Sequence, residues 1–151
     1  MEMILQIFGA FMAVACFSGL FELPKKFRVN AGVVGGVCWF VYLVIYLASK
    51  SKIIAALTAS LVAAIFSHLS AKILKAPMSV FLVPGILPVV PGSSIYYCVY
   101  YAIHDNRSQA TFYLIETIQI SSAIAVAIYL LDSIIRTIRT KKKKACFPKE
   151  G

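Results

Sequence analysis

Apolar residues run through this chain in five long blocks, each closed by a short polar stretch. The first block, 3–21, ends on "ELPKKFR"; the second, 30–48, ends on "SKSK". The third, 53–71, gives way to "KILKAP", and "HDNRSQ" separates the fourth, 78–103, from the fifth, 112–135. At about 1.5 Å per residue, a helix made of any one of them is long enough to cross roughly 30 Å of hydrocarbon. The pattern predicts an all-α integral membrane bundle of about five transmembrane spans over residues 1–136, with a basic tail at 137–151. It shows no soluble domain, internal repeat or low-complexity linker.

The fourth block departs from the others. "FLVPGILPVVPGSSIYYCVYYAI" carries Pro84, Pro88 and Pro91. A proline inside a helix removes a backbone donor and clashes with the carbonyl one turn back. In lipid, each backbone group left unpaired costs several kcal/mol. The block therefore reads as a helix broken between Pro88 and Gly92, tolerable only where protein or water reaches the gap. Transporters build substrate sites from such breaks near the membrane midplane. A helix restarting at Gly92 would aim free N–H groups and its positive end into the gap, with the Ser93 and Ser94 hydroxyls beside them. That combination suits a carboxylate. From the residues alone, an inert kink filled by neighbouring helices stands as the alternative.

Composition supports the membrane reading. Only 14% of residues are charged and 60% are hydrophobic, against roughly 25% charged in soluble domains. The net charge of +9 raises nucleic acid as a partner, but the placement of the charge argues against it. Seven of the fifteen Lys and Arg lie from Arg136 onward, with a run at Lys141 to Lys144. No interleaved aromatics or folded platform accompany them. A basic segment directly after a span sets topology or meets anionic membrane lipid. With the N-terminus outside and the C-terminus inside, twelve of the fifteen basic residues fall on the cytoplasmic side. Lys50, Lys52 and Arg107 remain outside, and the "SKSK" loop is the discordant element. The first block follows Glu2 and precedes its first basic residue, Lys25. That is the reverse of a cleaved signal, so it reads as a retained span in the cytoplasmic membrane. Cys16, Cys38, Cys98 and Cys146 form no C-x-x-C pair, so neither a metal nor a dithiol site is expected. The first three fall inside spans and read as small packing residues.

Small residues mark helix contacts. Gly32 and Gly36 stand four apart with Gly35 between them, and Ala56, Ser60, Ala64, Ser67 and Ala71 share one face of the third span. Such spacing lets helix backbones approach closely, within the bundle or against a partner.

With these residues in place, "PGILPVVPGSSIYY" in a small five-span chain resembles the Pro-Gly motif of the threonine/serine exporter family, most closely its small, second-half subunit. "FELPKKFRVNAGVVGGVCWFV" is similar to the family's first loop and glycine-rich second span. The resemblance covers most of the layout and is residue-specific around Pro84 to Tyr97. It implies export of small carboxylate-bearing metabolites, threonine and serine by name. It also implies succinate for a split version with a larger partner subunit. Full-length members join both halves, whereas this sequence resembles the small half alone. The site expected from the break itself is Pro88, Pro91, Gly92, Ser93 and Ser94, with no cofactor.

Other residues add candidate chemistry. Glu116 opens a polar stripe with Gln119 and Ser122, and reads as a proton or cation relay or as a wetted interfacial carboxylate. His68 in the third span is a second candidate relay, or a packed histidine. Asp132 and Arg136 are spaced for an i, i+4 ion pair. Tyr96, Tyr97, Tyr100 and Tyr101 read as an outer aromatic belt. Ser93 has no histidine fixed beside it and no nucleophile elbow, so no catalytic residue is assigned and an enzyme is not expected. A non-transporting membrane scaffold is the remaining alternative to an exporter.

Overall fold

The structure is a computed structural model that describes residues 2–146, with side chains described over 3–137. The described residues form α1 (Glu2–Leu20), α2 (Lys25–Ser49), α3 (Lys52–Leu74), α4 (Ser79–Ile86), α5 (Gly92–Ile103) and α6 (Arg107–Cys146). A 3-10 turn, Leu87–Val89, lies between α4 and α5. Four of the helices are long and apolar enough to cross a membrane. The segments Ser79–Val89 and Gly92–Ile103 form a fifth candidate bent by 50°. The molecule is thus an all-helical, multi-pass membrane protein with a proline-broken fourth span.

Three helices outrun the apolar blocks that predict them: α2, α6 at both ends, and α3, which runs on to Leu74. α2 starts at Lys25, ahead of residue 30, because Pro24 stands at the cap and Lys and Arg are good helix formers. Its basic residues lie in the first two turns, and Arg28 Nε donates back to the Leu23 carbonyl at 2.9 Å. α6 continues past residue 135 through the basic run to Cys146 for the same reason. Residues 147–151 of the expected tail lie outside the described residues, as do the side chains of Lys141 to Lys144 and of Cys146. At the other junctions, Lys50 and Lys75 take left-handed conformations that close α2 and α3. Their N–H groups donate to the Tyr46 and Ala71 carbonyls.

α3 is the most buried of the four long spans, packing against α2, α4 and α6. Its sequence explains this position. Ala55, Ala56, Ala59, Ser60, Ala63, Ala64, Ser67 and Ala71 are all buried, and small side chains let three neighbours come close at once. The main core joins Val34 and Cys38 of α2, Ala56, Ala59 and Ala63 of α3, Val89, and Ile120 and Ile124 of α6. A second cluster at the other end holds Leu23, Ala31, Ala71 and Phe81, with the Phe27 and Phe81 rings edge-to-face at 5.7 Å. Ser60 returns its hydroxyl to the Ala56 carbonyl, while the buried Ser67 hydroxyl has no partner among the described residues. Outward positions are apolar on nearly every helix, as a lipid-facing surface requires.

Candidate functional site

The broken span is built residue by residue. Pro84 sits inside α4, Pro88 in the 3-10 turn, and Pro91 at the position just before α5. Between them the backbone ladder fails in the way three missing donors dictate. Val90 N–H reaches only the Leu87 carbonyl, at 3.3 Å, and Gly92 N–H turns back to the Val90 carbonyl at 2.7 Å. The first bond belonging to α5 runs from Ile95 N–H to the Pro91 carbonyl at 3.1 Å. The Ser93 and Ser94 amides come before it, where a helix offers them no acceptor. Gly92 therefore contributes its openness rather than its amide, and the two serines carry the free donors.

Depth follows from neighbours. Pro88 lines a small pocket with Trp39, Gln6, Gly9, Ala10 and Ala13, and Trp39 is near the middle of α2. The 3-10 turn touches α1, α2 and α3, which cover Val89 and Pro91. Val90, Gly92 and Ser93 face outward and are exposed. An added Cβ on Gly92 would meet nothing within 4 Å. Protein thus shields one side of the break, and the other side is open.

Ser94 links the break to α6. It is 3% exposed, and its hydroxyl donates to Glu116 Oε2 at 2.7 Å. The other carboxylate oxygen, Oε1, accepts from Lys52 Nζ at 2.8 Å. Glu116 is thus held between the first turn of α5 and the first residue of α3. On the Lys52 side lies a cavity of about 280 Å³, lined by Lys52, Glu116, Gln119, Tyr46, Lys50 and Ser51 among others. Trp39, Tyr42 and Tyr46 stack along α2 from the level of the break to this cavity, with ring centroids 5.2 and 6.1 Å apart.

The remaining predicted residues fall elsewhere. His68 lines a different cavity of about 400 Å³ with Lys72, Asp132 and Arg136. Lys52, which holds Glu116, is the first residue of α3, and His68 lies roughly 24 Å further along that helix, so the two candidate relays, Glu116 and His68, are not brought together. Asp132 and Arg136 form the i, i+4 ion pair at 2.9 Å. Gly32, Gly35 and Gly36 lie against α1, where a Cβ on Gly35 would come within 2.5 Å of Val14 and one on Gly32 within 2.9 Å of Phe11. Tyr97 and Tyr101 stack on Tyr113 of α6. Cys38 is buried with its thiol near the Ala59 carbonyl. Cys16 is exposed on the outer surface of α1 and Cys98 is half-buried, so of the three cysteines with described side chains only Cys38 is a core residue. Among the described residues, no group of three His, Cys, Asp or Glu could hold a metal ion.

Two residues of this region were not predicted. Lys52 pairs with a residue far along the chain, and its one local signal is its place in the "SKSK" loop, the discordant element of the charge count. Gly85 packs on α2, where an added Cβ would come within 2.6 Å of Val34; its signal is its place in "VPGIL".

Residues 6–134 match a family model described as "Threonine/Serine exporter, ThrE". That is most of the chain, which therefore belongs to the threonine/serine exporter family, a family of transporters rather than enzymes. No curated protein and no solved structure matches.

Proposed function

We propose that this member of the threonine/serine exporter family carries threonine- and serine-type amino acids out of the cell together with a larger subunit of the same family. The carrying observation is the broken fourth span. It lies beside the middle of α2, it offers the Ser93 and Ser94 amides without helix acceptors, and its open side exposes Gly92 and Ser93. Oriented backbone donors at a restarting helix hold a carboxylate without a compensating cation. Pro88, Pro91 and Gly92 create that geometry, and Ser93 and Ser94 supply the contacts. The larger subunit covers the open side and completes the site. Glu116 is adjacent to the break through Ser94, so of the two candidate relays it is the one retained in this reading. The protein sits in the cytoplasmic membrane with its N-terminus outside, and the basic end of α6 meets anionic lipid on the inner face.

Efflux from proteoliposomes tests the proposal. Labelled threonine and labelled succinate are loaded into vesicles bearing this chain, the larger subunit, or both. Threonine efflux that requires both proteins is the expected result. Succinate efflux without threonine efflux would reassign the substrate to dicarboxylates. No efflux from vesicles holding both folded, inserted proteins would remove the exporter reading and make the break an inert kink.

A further inference from the structure

We infer that Glu116 anchors the α-ammonium group of the substrate, and that Lys52 occupies this position when substrate is absent. The inference rests on the export reading above and adds what selects the substrate.

The two partners of the Lys52–Glu116 pair are held very differently. The Glu116 side chain is 15% exposed and is fixed from the other side by a hydroxyl that is itself buried. The Lys52 side chain is 44% exposed, on a flexible four-carbon stem. It is also the first residue of α3, and a cation at a helix N-terminus is opposed by the helix dipole. No acidic residue lies in that first turn to offset it. Glu116 is what holds Lys52 in place, whereas Ser94 would still hold Glu116 if Lys52 left.

The chemistry permits exchange. A lysine side chain ends in a primary ammonium with three donors, and an α-amino acid presents the same group. Replacing one ammonium by the other never leaves the carboxylate unpaired, which matters because an uncompensated charge at this depth is costly. The displaced Lys52 is already half in contact with the surroundings. Space exists for the incoming molecule, since the adjoining cavity of about 280 Å³ is near the lower end of the roughly 300–1,000 Å³ range of small-molecule sites.

Ser94 joins Glu116 to the broken span. Its hydroxyl binds Glu116 while its own amide is one of the two free donors at the start of α5. The ammonium anchor is thus joined through one residue to the start of α5, where the free amides lie. An α-amino acid carries both a cation for Glu116 and a carboxylate. A hydroxy acid lacks the cation, and a dicarboxylate would set a second anion against Glu116.

The test uses this chain with its larger subunit in lipid nanodiscs, with labelled threonine bound and competed by serine or by glycerate, which carries a hydroxyl where serine has its ammonium. Loss of one charge-assisted hydrogen bond corresponds to a difference of about ten-fold or more. Wild type is expected to prefer serine by that margin. Glu116→Gln is expected to bring the two competitors within about two-fold, as the same bond is no longer charge-assisted. Lys52→Met, which touches only the exposed partner, is expected to strengthen serine competition several-fold, to roughly the extent of the displaced ion pair, and to leave glycerate unchanged. Equal competition by serine and glycerate in wild type, or a Lys52→Met protein that folds and shows no gain for serine, overturns the anchor. Efflux in the same preparation separates the two claims. Threonine efflux without amino-group preference removes the anchor alone, preference without efflux removes export alone, and absence of both removes both.

Discussion

Gly35 and Gly92 are both helical glycines, yet their surroundings demand opposite outcomes from substitution. Gly35 faces the stiff, fully buried Val14, and a methyl group there would come within 2.5 Å of it. The gain in helix propensity from Gly35→Ala, about 1 kcal/mol, is outweighed by overpacking of about 1–3 kcal/mol. A lower melting temperature of the purified protein is expected; an unchanged or higher one would mean that α1 gives way freely. Gly92 has open space around it, so Gly92→Leu is expected to leave membrane insertion and melting intact while blocking efflux. Normal flux in that variant would remove Gly92 from the site. The sequence made both glycines visible by their company, "AGVVGG" and "VPGSS", without showing which was crowded. Glu116 was visible as a carboxylate in an apolar helix, but its partners were not. Ser94 and Lys52 reach it only through the packing of α5 and α3 on α6, which no local spacing encodes.

At the scale of elements, the three prolines made the break legible before any coordinates, because a missing donor is a property of the residue itself. The 3-10 turn and the 50° bend follow from how the chain resumes after Pro88 and Pro91. Replacing both with alanine restores two donors and removes two ring clashes. In Pro88→Ala/Pro91→Ala, a straighter fourth span is expected, read as a longer distance between spin labels at positions 83 and 99, together with loss of most threonine efflux. A straightened span that still transports would show the bend to be incidental. The block pattern located the helices, but α2 starts ahead of its block at Lys25, α3 runs on to Leu74, and α6 outruns its block at both ends, from Arg107 to Cys146. Hydropathy marks where lipid begins, while helices continue through lysine and arginine that favour the same backbone.

For the molecule as a whole, orientation is the property that charge alone was asked to decide. Lys52 is the residue that fits the expected orientation least, and its pairing with Glu116 gives it a role unrelated to topology. In a background without native cysteines, Asn106→Cys in the turn before α6 is expected to react with an impermeant maleimide from outside the cell. Ala76→Cys, in the turn before α4, is expected to react only after permeabilisation. The reverse pattern would invert the assignment. The fourth span also divides the molecule mechanically. α4 packs on α2 and α3, whereas α5 packs on α6, tied by Ser94 to Glu116 and by the tyrosine stack on Tyr113. The two halves of this span thus pack on different helices, on either side of the point where the backbone ladder is interrupted. A reorientation of α5 against α4 would be absorbed at Pro88 to Gly92, where no helical hydrogen bond would have to break to permit it.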